Sequence, residues 1–429
     1  MLDLKCIYEE VDNLDNQAIM EILTKLINID TTVPPGKYYR EYVDLISPYF
    51  KKLGYSLEDV EIPKNLIEEI PLNLEGPRIN LVATKELGKK NYITFYGHMD
   101  VVPATTEGAE KWRFPPFEAT MIKSGKIYGR GVADCKGSMA CLILALQIIE
   151  KLNIKPNYNI IILNCTDEEI GFYPGVRYLA EQGYIKGTVF CMDYIIDPVI
   201  LMGAAGDLDI EVETLGRSCH SGLNFLGVNA LEEMIPILSK LMKLKKIVEK
   251  RESKNIPGFY VPKTGEKSNM RPMFNLDIIK SGEKSNIVPD SCCLTINRRI
   301  LPDENIEDVK KEILDAIEKG KANSKALKIN ITFEYGYPPL KVDINSNEIK
   351  KIKKVISLVH DIPEEKIKQM GMSITFDMGF VSQILDKKDI IIRGVANSGS
   401  NAHGVNETIQ LRDIKKFIKE IITFLCADI

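Results

Sequence analysis

A chain of 429 residues exceeds what one ordinary hydrophobic core organises, so two domains are expected. With 45% hydrophobic and 27% charged residues, a net charge of -4 and a pI near 5.8, the composition is that of a globular protein without an electrostatic case for nucleic acid or an anionic membrane. No apolar run approaches the roughly 18 residues of a membrane span, and Met1-Leu2-Asp3-Leu4-Lys5 opens no signal peptide, which makes a cytoplasmic protein the expectation.

Taken in order, apolar residues at helical spacing (Leu14, Ile19, Ile22, Leu23, Leu26, Ile27) predict a helix over 12–28, ending ahead of Pro34-Pro35-Gly36. A second helix covers 39–53. Residues 80–83 and 92–96 read as strands, the latter β-branched and aromatic. The stretch 138–152 is so apolar that it must be a helix buried against a sheet. Residues 158–164 form a β-rich run ending at Thr166-Asp167-Glu168-Glu169, and 187–192 a strand running into Asp193. Strands alternating with helices, with acids at the strand ends, predict an α/β domain with a largely parallel sheet.

The pattern changes after Gly206. Residues 208–215 alternate as a half-exposed strand, 229–248 form an amphipathic helix, and 250–272 make a long excursion containing Pro257, Pro262, Gly265 and Pro272. Strands at 273–280 and 292–299, a charged helix at 306–319 and a strand at 328–335 complete a β-α-β-β-α-β order, that of an inserted α+β sandwich. The expected division is 1–206 and 339–429 for the main domain and 207–338 for the insertion. Helices at 346–359 and 411–425 and a strand at 390–393 return to the first domain.

Two residues apart in extended chain, His98 and Asp100 present their side chains to one face. A lone His-x-Asp pair is more often structural than ligating. The series gives it weight: His98, Asp100, Asp134, Glu168-Glu169, Asp193 and His403 each fall at a strand end or in the loop beyond, where open α/β sheets place ligands. Nitrogen and oxygen donors without thiolate suit two divalent ions sharing a carboxylate, zinc first, with cobalt or manganese as alternatives. Nine cysteines with no C-x-x-C pair argue against disulfides or a zinc knuckle. Cys135, Cys165 and Cys191 lie beside candidate ligands but read as small hydrophobes in the walls. His360, at the end of its helix, is expected to be solvated, and Asp377 to cap a local turn.

Six ordered segments carry a resemblance: YGHMDVVP (96–103), Trp112 and Pro116-Phe117 leading to YGRGVADCKG (128–137), TDEE (166–169), GRSCHSG (216–222), NIVPD (286–290) and SNAHGVNE (400–407). Over essentially its whole length the chain resembles the M20 metallopeptidase family, in its acetylornithine deacetylase/succinyl-diaminopimelate desuccinylase branch. The resemblance implies a zinc-exopeptidase-like catalytic domain with a ferredoxin-like lid and dimerisation domain. It implies a dinuclear hydrolase that cleaves the amide of an N-acyl amino acid with metal-activated water. Carried over residue by residue, His98, Asp134, Glu169, Asp193 and His403 are the metal ligands, with Asp134 bridging and a cis peptide after it. Asp197 is close to Asp193, and the local motif departs from the family's Gly-Glu-Pro. Glu168 is the general base, and Asp100 orients His98.

His220 would donate to the oxyanion, reaching the other subunit's site across a homodimer interface. Arg299, on the same strand face as Asn297 and opposite to Arg298, would meet the substrate's carboxylate with Asn286. Ser398-Gly399-Ser400 could add backbone N–H groups, with Gly399 central. A surface ion pair is the competing account of Arg299. Two rival readings stand beside the deacylase. One is a metallo-dipeptidase or carboxypeptidase of the same family. The other is a catalytically silent metal- or ligand-binding homologue, against which the intact Glu168 counts.

Overall fold

The computed structural model describes residues 3–105, 110–258 and 268–429. Most of the expected excursion's tip, residues 259–267, lies outside the described residues. The principal strands are β1 (Ser56–Glu61), β2 (Ile79–Lys85), β3 (Tyr92–His98), β4 (Asn159–Cys165), β5 (Thr188–Cys191), β6 (Gly206–Leu215), β7 (Met273–Ser281), β8 (Ser291–Ile300), β9 (Lys328–Tyr335) and β10 (Ile390–Ile392). The chain divides into two compact units. One comprises Met1–Leu201, Val342–Gln369 and Phe380–Ile429; the other comprises Met202–Lys341 and Met370–Gly379.

The first unit is built on a six-stranded sheet ordered β1-β2-β4-β3-β5-β10. Its four consecutive strands β4, β3, β5 and β10 pair in parallel, whereas β1 with β2 and β2 with β4 pair antiparallel. Every residue of β4 is buried, and all of β3 except its first, as continuous apolar strands require when both faces are covered. The expected helix at 12–28 is α2 (Asn16–Ile27), and a further helix, α1 (Leu4–Asp12), precedes it. Asp3 and Asp15 start them as N-caps, their carboxylates accepting from Cys6 N and Gln17 N. α3 (Tyr39–Lys52) packs on β1 and β2. α4 (Lys136–Lys151) is buried from Lys136 to Leu146, and α5 (Gly175–Glu181) is short.

In the second unit, α6 (Ala230–Val248) and α7 (Ile306–Lys321) pack together beside an antiparallel sheet ordered β7-β8-β6-β9. Burial alternates strictly along β8, so one face supplies Leu294 and Ile296 to a core shared with Leu208, Ile210, Met234, Phe274 and Ile313. Met370–Gly379 joins this unit, although its position in the sequence suggests the returning part of the first. Backbone pairing explains why: Ala205 N donates to Met372 O at 3.0 Å, and Gly371 N to Pro257 O at 2.7 Å. Asp377 is buried at the turn entering α9 (Met378–Leu385).

The return passes through α8 (Asn347–His360) and α9 to α10 (Leu411–Cys426), which packs on α4 and α8. His360 is not solvated. Its side chain is 7% exposed, and Nε2 lies 2.9 Å from Glu420 Oε1 of α10. The same carboxylate holds the buried Arg393 guanidinium at 2.6 Å. A helix end read as polar surface is thus an internal ion cluster, which the spacing of charges along α8 does not reveal.

Phe190 of β5 sits among Phe95, Phe424 and Phe417, at ring-centroid distances of 5.1, 5.5 and 6.3 Å. Phe190→Ala is expected to remove about 3–5 kcal/mol from the first unit, read by chemical denaturation. A loss below about 1 kcal/mol would show that the aromatic cluster does not hold the sheet to its helices.

Candidate metal centre

Parallel pairing decides where the candidate residues go. β3 pairs with β4 so that His98 lies opposite Cys165, and with β5 so that Tyr96 lies opposite Cys191. β10 pairs Ile392 with the same Cys191. Four strands therefore release the chain along one sheet edge. His98 is the last residue of β3, Glu168 and Glu169 follow β4, Asp193 follows β5, and the loop to His403 follows β10.

Asp134 reaches that edge in the loop ahead of α4. Gly131 there has φ +86°, and a Cβ would lie 2.9 Å from Val101 Cγ1, so only glycine fits. The Asp134–Cys135 peptide is cis. Asp134 Oδ1 lies 2.9 Å from His98 Nε2, and Oδ2 lies 3.1 Å from His403 Nε2. Glu169 Oε2 is 2.9 Å from His403 Nε2, and Asp193 Oδ2 is 3.9 Å from His98 Nε2. Among the described residues, two groups of donors result: His98, Asp134 and Asp193, and Asp134, Glu169 and His403, each with its donor atoms within 4.8 Å of one another. Asp134 belongs to both; Glu168, half-buried at the same turn, belongs to neither.

Asp100 is fully buried and acts through two different atoms. Its main-chain carbonyl lies 3.1 Å from His98 Nδ1, while its Oδ1 is farther, at 3.6 Å. A carbonyl can only accept, so Nδ1 carries the proton and Nε2 is left to face Asp134. Asp100 Oδ2 accepts from Glu169 N at 2.9 Å, which ties the end of β3 to the turn after β4.

The charges in this cluster are out of balance. Burial works against ionisation of Asp134, but hydrogen bonds from His403 and His98 hold it well below the usual carboxylate range. Burial and the charge of Asp134 push Glu169 up to about 7. Hydrogen bonds to Asp134 and Glu169 raise His403 to about 10. Glu169 and His403 thus hold their protons more tightly than usual beside the ionised Asp134. Oxygen and nitrogen donors of these types suit two divalent ions, which displace those protons on binding. Sulfur contributes nothing to this set: burial pushes the Cys135 thiol up to about 12, and its Sγ accepts from His98 N at 3.2 Å.

The remaining expected site residues are placed differently. His220, Asn286 and Arg299 belong to the second unit. His220 is exposed, with its Nδ1 accepting from Gly222 N at 3.0 Å. Asn286 is exposed, and its carbonyl accepts from Ser221 N at 3.0 Å. Arg299 is loosely held, with Nη1 3.4 Å from Thr375 Oγ1 and 4.0 Å from Asp207 Oδ2; Arg298 turns the other way and pairs with Glu304 at 2.6 Å. Gly399 requires a correction. Its N–H donates to Asn397 Oδ1 at 2.8 Å, that of Ser398 to Asp197 Oδ2 at 3.3 Å, and that of Ser400 to Asn397 O at 2.9 Å. Asn397 of the same turn takes two of these donors and Asp197 the third, so Gly399 offers none to a substrate carboxylate.

Sequence reasoning passed over the residues that brace the donors. Asp167, at φ +62°, is buried, with Arg78 Nε 3.1 Å from Oδ2 and Tyr39 OH donating to Oδ1 at 2.8 Å. His403 also has positive φ, +63°. Such conformations in residues other than glycine cost about 1–3 kcal/mol each and persist where surrounding contacts impose them. Arg130 and Glu407 form a second buried pair at 2.8 Å. Both stand within segments that carry the resemblance, but no local pattern says that a glutamate at 407 returns to a loop at 130.

Comparison with known proteins identifies relatives over nearly the whole chain. The chain is 30% identical to the succinyl-diaminopimelate desuccinylase of Buchnera aphidicola subsp. Cinara cedri, over 95% of this chain and 98% of that one. It is 24% identical to the N-formyl-4-amino-5-aminomethyl-2-methylpyrimidine deformylase of Halalkalibacterium halodurans, over 99% and 98%. The M20 metallo-carboxypeptidase of Sulfolobus solfataricus shares the fold, with a TM-score of 0.75 at 20% identity, over 96% of this chain and 98% of that one. The profile of Peptidase family M20/M25/M40 matches residues 94–426, and the chain belongs to that family.

Proposed function

We propose that this protein is a dinuclear metal-dependent hydrolase that cleaves the amide bond of an N-acyl amino acid. The observation that carries the reading is the sharing of Asp134 between two donor groups, one oxygen toward His98 and the other toward His403. His98, Asp134 and Asp193 would hold one ion, and Asp134, Glu169 and His403 the other, with zinc favoured by the donor types and cobalt or manganese as alternatives. When bound, such ions supply Lewis acidity, polarising a carbonyl oxygen and lowering the pKa of water from about 15.7 to about 7.

The chain's own residues supply the rest. Glu168 precedes Glu169 at the turn after β4, and adjacent side chains leave such a turn in different directions. With Glu169 turned to His403, Glu168 takes the proton from the attacking water and returns it to the departing amine. Asp100 holds His98 in one tautomer and fixes the Glu169 main chain. His220 is assigned to donate to the developing oxyanion, and Arg299 with Asn286 to hold the substrate's carboxylate.

Deacylation is favoured over peptide cleavage because both sequence relatives named above release an acyl group from an amine, succinyl in one and formyl in the other. A homodimer joined through the second unit, which would serve as lid, fits the exposed apolar residues of that unit. Phe225 is 77% exposed, Leu226 56% and Ile287 46%, on the segments that carry His220 and Asn286.

Glu168→Gln is expected to lower kcat by about 10²–10⁴-fold, while metal analysis still finds the wild-type content. Retained turnover would mean that the base lies elsewhere. Exhaustive chelation should abolish hydrolysis and added zinc or cobalt restore it; activity that survives chelation excludes the metal reading. His220→Ala should lower kcat by about 10²–10³-fold with KM little changed. Mixing this variant with Glu168→Gln distinguishes action in trans, which restores part of the activity, from action in cis, which restores none.

A further inference from the structure

Glu407 is fully buried and gathers four donors on two oxygens. Oε2 accepts from Arg130 Nη1 at 2.8 Å and Gly131 N at 3.0 Å; Oε1 accepts from Ala133 N at 2.8 Å and Asp134 N at 3.2 Å. Its own carbonyl accepts from Gly129 N at 3.2 Å. The loop from Gly129 to Asp134 therefore curls around a carboxylate, as successive main-chain N–H groups curl around a bound anion. Here the anion is a side chain of the same protein. Its place is set by a short antiparallel pairing in which Thr408, the next residue, lies opposite Tyr128.

Arg130 extends the connection to the main chain of His403. Its Nη2 lies 3.2 Å from His403 O and 3.3 Å from Pro103 O, and its guanidinium lies 5.3 Å from the Trp112 ring centre. The pair thus binds the main chain of Asp134 at one end and that of His403 at the other. Stability alone is a poor reason for it, because well-packed apolar residues often replace a buried ion pair at no loss. Arg130 Nε even finds no partner among the described residues, a cost that a purely stabilising pair would avoid. An apolar pair could not hold three loop N–H groups and also reach a carbonyl on a second loop.

We propose that Glu407 and Arg130 are positioning residues that set the distance between Asp134 and His403, and so tune the affinity of the ion held by Asp134, Glu169 and His403. The inference rests on the dinuclear reading above. Glu407→Gln keeps the shape but turns one acceptor into an NH2 group facing N–H donors.

The test is zinc titration of chelator-stripped, full-length protein in competition with a chromophoric chelator, together with the visible spectrum of the cobalt-loaded form. For Glu407→Gln, one of two equivalents should bind about 10–100-fold more weakly, and the cobalt bands should shift, while circular dichroism and a cooperative melt persist. Glu304→Gln, which breaks the comparable pair with Arg298 in the second unit, should change the melt but not the affinity. Wild-type affinities and spectrum in Glu407→Gln overturn the proposal and leave the dinuclear reading intact. Wild-type protein that binds no metal overturns both. Should Glu407→Gln lack a cooperative melt, Arg130→Lys decides. It keeps the charge but not the fork that spans Glu407 and His403 O, and an unchanged affinity in that variant overturns the proposal.

Discussion

The site depends on the parallel hydrogen-bonding of four strands. Because β4, β3, β5 and β10 run in one direction, their carboxyl ends open on one edge, and each hands its next residues to the same place. In an antiparallel arrangement alternate strands would send their ends to opposite edges, and His98 would be separated from the Glu168-Glu169 turn. β1 and β2 pair antiparallel at the far side of the sheet, where they carry no donor. The apolar character of β3 and β4 is therefore more than core filling. It keeps both faces of the central strands covered and leaves their ends as the place for polar side chains.

Charge is the second constraint. Burial and the charge of Asp134 push Glu169 up to about 7, and hydrogen bonds to Asp134 and Glu169 raise His403 to about 10. Divalent cations binding to these donors would displace the protons of Glu169 and His403. Around these donors, the protein places buried ion pairs that satisfy one another: Arg78 with Asp167, Arg130 with Glu407, and Arg393 with Glu420. Each reaches main-chain groups of a loop as well as its partner, Pro35 and Gly36 for Arg78, His403 for Arg130, and Ile196, Asp197 and Val199 for Arg393. Loops outside a sheet lack the ladder that fixes strands, and these charged pairs take its place.

Particular residues show how far local pattern reaches. The central strands, α4, α6, α7 and α10 are legible because apolar periodicity and length specify them within a few residues. β1 is not, since its sequence SLEDVE is mostly polar, and its place comes from pairing with β2. His360 looks like a solvated helix end until Glu420 of α10 is placed against it. Gly399 looks like an available N–H donor until Asn397 turns back to accept from it. Met370–Gly379 follows the second unit because of backbone bonds from Gly371 to Pro257 and from Ala205 to Met372, partners more than a hundred residues away.

Taken alone, the order and kinds of residue determined the α/β class, the inserted β-α-β-β-α-β segment, and a donor series at strand ends whose chemistry calls for divalent cations. They did so because strand burial, helix periodicity and the preference of metals for nitrogen or oxygen are local properties, readable over a few neighbours. Tertiary structure alone decided which oxygen of Asp134 faces which imidazole, that Asp100 meets His98 through its carbonyl, and that Glu407 closes on the loop from Gly129 to Asp134. Those outcomes depend on the direction of a single C–O or N–H bond after chain segments up to some 270 residues apart have been brought together. Bond directions of that kind follow from the packing of the whole unit, and no neighbouring residue encodes them.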